Sequence, residues 1–207
     1  MVSRLADLRH HIAQLEHEID ADLHTARERW RYRIDAGKVR FERDARRAQK
    51  HLKQRVPEFL RDSHSLNVVT APVIYSLIVP VALLDLWVSA YQALCLPAYG
   101  IAKVRRSQYI VIDRHHLAYL NGIEKLNCLF CGYTNGVFAY VREIAGRTEQ
   151  FWCPIRHARR TRAPHAQYRE FLDFGDAAGY RRELPLLRAR LAPKPRGGDS
   201  PAPGDHE

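Results

Sequence analysis

Charged residues are nearly missing from the middle of this chain. Asp85 is the single formally charged residue between Ser63 and Ala102. The rest of the 207-residue chain is rich in charge, with 33 Lys+Arg against 23 Asp+Glu and a net charge of +10. Both flanks of the uncharged stretch are basic. Basic flanks suit nucleic acid, anionic lipid or simple solubility, and an uncharged middle favours lipid among these.

Other absences narrow the class of protein. The sequence has only four cysteines, which is typical of a reducing compartment rather than of a disulfide-rich secreted domain. It contains no P-loop, no glycine-rich dinucleotide turn, no Gly-x-Ser-x-Gly and no His-Glu-x-x-His. The N-terminus lacks the apolar region of a secretory signal. Nothing in the sequence therefore nominates an enzymatic nucleophile and its base.

The first 62 residues predict one long amphipathic helix. Apolar residues recur at spacings of three and four, which is the a and d pattern of a coiled coil. The stripe continues on a displaced seam, as a stutter requires, and Gly37 weakens its middle. A stripe of this length needs a partner surface, so we expect a homo-oligomer. The first residues of the seam are Leu5, Leu8, Ile12, Leu15 and Ile19.

The uncharged stretch, residues 66–102, predicts a membrane-embedded segment. A single helix over residues 67–102 would be about 54 Å long, whereas a hydrocarbon core is about 30 Å thick. Asp85, Ser89 and Gln92 lie at i, i+4 and i+7 and share one helical face, which should contact water, headgroups or a partner helix. Prolines interrupt the stretch at positions 72, 80 and 97.

Lysines and arginines stand close to both ends of this stretch and favour the cytoplasmic side for both. A helical hairpin or re-entrant segment satisfies that rule, whereas a single span violates it at one end. The pattern therefore favours a hairpin with both flanks on the cytoplasmic face of a bacterial inner membrane. A single span and the buried core of a soluble protein are the alternatives.

Three cysteines and a histidine predict a metal site in the second half. Cys128 and Cys131 belong to Cys-Leu-Phe-Cys-Gly-Tyr, and Cys153 and His157 to Cys-Pro-Ile-Arg-His. Two thiolates three positions apart on a tight turn can bind one ion, and the second pair would close a tetrahedron. Three thiolates and one imidazole suit Zn²⁺. Iron, inert reduced thiols and a redox dithiol are the alternatives.

The Cys-x-x-Cys-Gly-Tyr segment resembles the metal knuckle of zinc ribbons and rubredoxins, over six residues only. That resemblance implies a local ligand turn, and the second half departs from it because Cys153 and His157 replace a second Cys-x-x-Cys. Should His157 not be a ligand, His115, His116 or His165 could take its place. As a whole, the chain resembles bacterial membrane-associated proteins.

A basic run overlaps the second pair of expected ligands and predicts contact with lipid or a partner. Phosphates of lipid headgroups or of nucleic acid could bind it, and a solvated helix face is the alternative. Nucleic acid is disfavoured because no aromatic stacking platform accompanies the run. The residues are Arg156, Arg159, Arg160 and Arg162.

Together these patterns predict a mainly α fold. We expect a coiled-coil helix over residues 1–62, a membrane helical hairpin over 66–102, a small metal-stabilised α+β domain over 103–192 and a disordered tail over 193–207. The leading functional hypothesis is a non-enzymatic, zinc-binding membrane scaffold or adaptor that binds a protein partner or anionic lipid. A membrane-bound redox or metalloenzyme component and a basic zinc module for nucleic acid are the alternatives.

Overall fold

The computed structural model describes residues 2–35 and 38–193, and the described part is mainly helical, as predicted. Residues 194–207 of the expected disordered tail lie outside it. The strands are β1 (Tyr32–Asp35) and β2 (Lys38–Phe41). The α-helices are α1 (Val2–Trp30), α2 (Arg43–His51), α3 (Val56–Asp62), α4 (Ser65–Ser76), α5 (Ile78–Ala98), α6 (Gly122–Trp152) and α7 (Ala177–Ala189).

The described residues fall into two compact units that are discontinuous along the chain. The first unit comprises described residues up to 59 together with residues 113–125. The second unit comprises residues 60–112 together with the described residues from 126 onward. Each unit is described below by itself.

Within the first unit, the prediction of one helix through residue 62 is wrong. Helix α1 ends at Trp30, and an antiparallel pair of strands follows before α2 begins. The strands pair Tyr32 with Phe41 and Ile34 with Val39. The rings of Tyr32 and Phe41 are 5.5 Å apart, a contact of the kind that stabilises paired strands. Gly37, which was expected inside the helix, lies outside the described residues.

The coiled-coil seam is only partly described. The side chains of Leu5, Leu8 and Ile12 lie outside the described part of the structure. Leu15, Ile19 and Leu23 follow them on α1 and are all exposed.

In the second unit, the uncharged stretch contains no reversal of the chain. Residues 65–76 and 78–98 are helical, and Leu77 between them also has right-handed helical backbone angles. The apex expected near Pro80 and Asp85 lies inside α5. The structure therefore does not show the predicted helical hairpin, and α4 and α5 together form one helical run, Ser65–Ala98.

Helices α5 and α6 pack side by side and run in the same direction. Residues farther along α4 and α5 contact residues that are also farther along α6. In chain order, the contacts are Tyr75 with Asn127, Asp85 with Tyr133, Gln92 with Tyr140, and Tyr99 with Phe151. Parallel neighbours require a connection that travels back along their whole length.

That connection, which we call the return segment, comprises residues 101–112. Its first half contacts the end of α5, since Val104 bonds to Gln92, and Arg106 then reaches back to Asp85. Farther on, Ile110 lies against Gly136 of α6. The return segment contains a short 3-10 turn at Arg106–Gln108 and otherwise irregular backbone.

The apolar core of the second unit lies where α5, the return segment and α6 meet. Leu96 at the end of α5 is fully buried, and the return segment contributes Ile101 and Val104. Tyr140 and Ile144 of α6 complete the cluster together with Leu191, which follows α7. This cluster therefore lies beside the second half of α5, Val81 is buried in the first turn of that helix, and α4 has no buried residue.

Candidate functional site

Asp85 is the centre of a polar network on the packed face of α5. Only 7% of the residue is exposed. Both carboxylate oxygens accept from Arg106, at 3.1 Å from Nε and 2.6 Å from Nη2. The Tyr133 hydroxyl donates to Oδ2 at 2.9 Å, and Ser89 lies 3.5 Å from Oδ1. This two-pronged arginine pairing is the geometry that a nearly buried carboxylate requires.

The network also fixes the charge states of its partners. The hydrogen bond that Arg106 donates to Asp85 raises the pKa of Arg106, so its guanidinium stays charged. Burial, and then the hydrogen bond to Asp85, raise the pKa of Tyr133. Tyr133 is therefore a neutral phenol at physiological pH and serves as a hydrogen-bond donor. The expected intramembrane acid thus meets a cation and a phenol from the same unit.

Gln92 connects the same face to the return segment and to α6. Its side-chain oxygen accepts from the backbone N–H of Val104 at 2.7 Å, and its Nε2 donates to the Val104 carbonyl at 3.2 Å. Nε2 also lies 2.5 Å from the Tyr140 hydroxyl. The polar stripe Asp85, Ser89 and Gln92 therefore faces protein. The stripe was visible in the sequence, whereas its partners come from segments 12 to 48 residues away.

The expected metal ligands lie at opposite ends of one helix. Cys128 and Cys131 are inside α6, and Cys153 immediately follows its last residue. At 1.5 Å per residue, the 22 positions between Cys131 and Cys153 correspond to about 33 Å. A zinc–sulfur bond is about 2.3 Å long. Residues in this arrangement do not fit a single Cys3His centre.

The Cys-x-x-Cys-Gly segment is helical rather than a ligand turn, which corrects that prediction. Helix α6 begins before it, at Asn121, whose side-chain oxygen accepts from the N–H groups of Ile123 and Glu124. Glu124 in turn accepts from the N–H of Asn121 at 2.8 Å, which completes a capping box. The Asn121-Gly122 pair therefore marks the start of α6.

The histidines considered as ligands have other partners or lie elsewhere. The backbone N–H of His157 donates to the Tyr168 hydroxyl at 2.7 Å. His165 is held between Glu149 at 2.8 Å and Gln167 at 3.0 Å. His115 and His116 belong to the first unit. Among the residues that the structure describes, no three His, Cys, Asp or Glu side chains are grouped as a metal site.

The basic run after α6 is divided between one anchored and three exposed arginines. Arg156 pairs with Asp173 at 2.9 Å and donates to the Arg169 carbonyl at 2.8 Å. Arg159, Arg160 and Arg162 are exposed and form no ion pair with any described residue. Those three remain available for an anionic surface, whereas Arg156 stabilises the loop itself.

The opposite side of α4 and α5 is an uncovered apolar surface. The helical run Ser65–Ala98 is long and apolar enough to cross a membrane, and only 11% of its most apolar window is buried. We define the apolar surface as the exposed side chains of Val69, Val73, Val79, Leu83, Leu86, Trp87 and Leu94. Trp87 is the most exposed of these, at 78%.

No protein-family model matches the chain, and no curated protein or solved structure matches it either. The assignment of function therefore depends on the geometry described above.

Proposed function

We propose that this protein is a non-enzymatic scaffold that lies on a membrane, with the apolar surface of α4 and α5 inserted into it. The observation that carries the proposal is a helical run of 34 residues whose most apolar window is only 11% buried. Soluble proteins rarely leave so large a contiguous apolar patch uncovered. Trp87 suits the boundary between headgroups and acyl chains.

The direction of packing favours attachment in the plane of the membrane over a spanning helix. Because α5 and α6 run in parallel, the return segment has to travel back beside them. A spanning α5 would draw this irregular backbone, together with Arg106, into lipid. Backbone without regular hydrogen bonds does not face hydrocarbon. A helix with one apolar face toward lipid and one polar face toward its own protein avoids that cost.

This arrangement leaves both ends of the run on the same side of the membrane. Arg61 precedes it, and Lys103 and Arg105 follow it. Lysines and arginines next to apolar segments favour the cytoplasmic side. We therefore assign the protein to the cytoplasmic face of a bacterial inner membrane. Arg159, Arg160 and Arg162 would add attraction to anionic lipid.

Helix α1 provides the scaffolding half of the proposal. Leu15, Ile19 and Leu23 are exposed at intervals of four along a helix of 29 residues. The second copy of the chain is the partner to which this stripe is best matched, since two such stripes can cover each other. Zinc has no part in the proposal, because two of the expected ligands, Cys131 and Cys153, are about 33 Å apart along α6.

Flotation with lipid vesicles tests the proposal. The test variant is L83S/W87S, which removes two large side chains from the apolar surface. The matched control is F174S/L186S, which removes two exposed apolar side chains of the same unit outside α4 and α5. Each side chain lost from a membrane contact costs about 1.5–3 kcal/mol. We expect L83S/W87S to bind vesicles more weakly by roughly a hundredfold or more.

The control should bind like the unmodified protein. Equal losses in both variants would contradict attachment through α4 and α5. A wild-type protein that stays in solution without detergent and ignores vesicles would leave the soluble-core alternative. Extraction by high salt alone would indicate attachment by charge instead of by the apolar surface.

A further inference from the structure

The first unit contains a basic cleft that shares no residue with the Asp85 network or with the apolar surface. It is formed by β2, by one face of α2, by the segment around residues 115–118 and by the first turn of α6. Its volume is about 640 Å³, which is within the range of small-molecule sites. Because it lies outside α4 and α5, its properties do not depend on how the protein meets a membrane.

The described residues that line the cleft include cations and no carboxylate. The charged residues that line it are Arg40, Arg46, Lys50, Lys53 and Lys125. Arg40 is partly compensated by Asp35 at 3.6 Å. The other four form no ion pair with a described residue. Cations that converge without a counterion repel one another, and a bound anion relieves that repulsion.

The convergence follows from the sequence of α2 and from one hydrogen bond. Residues 46, 50 and 53 lie at i, i+4 and i+7, so they share a face along α2 and the turn that follows it. Gln49 on the same helix accepts from the backbone N–H of Ala118 at 3.1 Å. That bond fixes the segment that carries His115 and His116 against the basic face.

Two adjacent histidines, His115 and His116, form the far wall of the cleft. Their rings are 3.9 Å apart, and Nδ1 of His115 is buried without a hydrogen bond to any described residue. Burial is the largest cause that lowers the pKa of His116, followed by the charge of His115. Lys125 and Arg46 lower that pKa further, whereas Asp113 raises it.

The rest of the lining narrows the class of anion. Arginine and lysine together favour phosphate, because the guanidinium fork matches its oxygens and the ammonium adds a point charge. Val39, Phe41 and Ala118 form an apolar part of the wall, which an inorganic ion would leave uncovered. We propose that the cleft binds a phosphate monoester, with the phosphate among Arg46, Lys50 and Lys125 and its organic part against Phe41.

A phosphate monoester can be soluble or can be the headgroup of a lipid, and a matched pair of probes separates the two sources. Glycerol 3-phosphate and phosphatidic acid carry the same phosphate, with and without acyl chains. Full-length protein is titrated with glycerol 3-phosphate by calorimetry, with glycerol as the blank. Flotation then compares phosphatidylcholine vesicles with and without phosphatidic acid.

Both double variants lie on α2, and each replaces two cationic side chains with neutral glutamines. R46Q/K50Q removes two cations from the cleft, whereas R43Q/R47Q removes two from elsewhere on α2. Each lost charge-assisted hydrogen bond weakens binding by roughly tenfold or more. We expect R46Q/K50Q to weaken phosphate binding by roughly a hundredfold or more, and R43Q/R47Q by about twofold or less.

Loss of glycerol 3-phosphate binding in R46Q/K50Q alone supports the cleft and a soluble ligand. Loss of only the phosphatidic acid increment in the same variant supports the cleft and a lipid ligand. Equal losses of binding in R46Q/K50Q and R43Q/R47Q would overturn the proposal. Failure of the unmodified protein to bind either probe would overturn it as well. Lys53→Gln, which lies beyond the last residue of α2, replaces R46Q/K50Q should that pair unfold.

Discussion

Gly136 shows how a single residue sets the distance between α6 and the return segment. A Cβ at this position would lie 2.7 Å from the Tyr109 carbonyl oxygen and 2.8 Å from the Ile110 Cα. Both are backbone atoms, so neither can rotate away. Only glycine allows the irregular segment to approach the helix this closely.

We therefore expect Gly136→Ala to destabilise the second unit by about 1–3 kcal/mol, because overpacking exceeds the gain in helix propensity. Gly122→Ala is the matched control in the same helix, since a Cβ there meets nothing within 4 Å. Chemical denaturation followed by circular dichroism measures both. A Gly136→Ala protein as stable as Gly122→Ala would show that the return segment does not pack against α6.

Residue patterns also explain which parts of the site could be predicted. The spacing of Asp85, Ser89 and Gln92 shows a shared face directly, because it depends on helix period alone. Arg106 could not be identified as the partner of Asp85, since 21 residues separate them and the chain leaves α5 for irregular backbone on the way. The Cys-x-x-Cys-Gly pattern was misleading because Asn121 and Glu124 start a helix seven residues earlier, and that cap decides the backbone there.

Elements differ in how strongly the sequence specifies them. The helical character of α5 was predicted because nearly all of its 21 residues are apolar or small, which leaves few other choices. The β1–β2 pair was missed, although Tyr32, Ile34, Val39 and Phe41 alternate with charged residues. That period of two is a strand signal. It was hidden because the helical stripe predicted for residues 1–62 runs across the same residues.

At the scale of elements, α1 gives a direct prediction. If its exposed stripe pairs with a second copy, Ile19→Lys should convert the protein to a monomer, because a charge at the centre of a seam is costly. Glu18→Lys, on the neighbouring exposed position, should leave the oligomer intact. Sedimentation velocity in detergent measures the mass. Equal behaviour of the two variants would exclude α1 as the contact.

At the scale of the whole molecule, the separation of the cysteines predicts that no thiol is needed for stability. Cys153 is exposed, and surface substitutions usually change stability by less than about 0.5 kcal/mol. We expect Cys153→Ser to keep the protease resistance and the melting temperature of the second unit. Gln150→Ala serves as the sensitive control, since Gln150 is buried and donates to the Leu187 carbonyl at 2.8 Å.

A zinc-stabilised fold would behave in the opposite way. Elemental measurement of one zinc per chain, together with unfolding of Cys153→Ser, would contradict the arrangement of α6 described here. The two outcomes are separated by an unfolding curve and a metal assay on the same sample.

The parallel arrangement of α5 and α6 also has a consequence for synthesis. Tyr133 follows Asp85 by 48 residues, which a bacterial or eukaryotic ribosome covers in about 2–10 s at 5–20 residues per second. During that interval the nascent chain carries an apolar helix whose polar face has no partner. The exposure of that unpaired polar face therefore lasts until α6 leaves the ribosome.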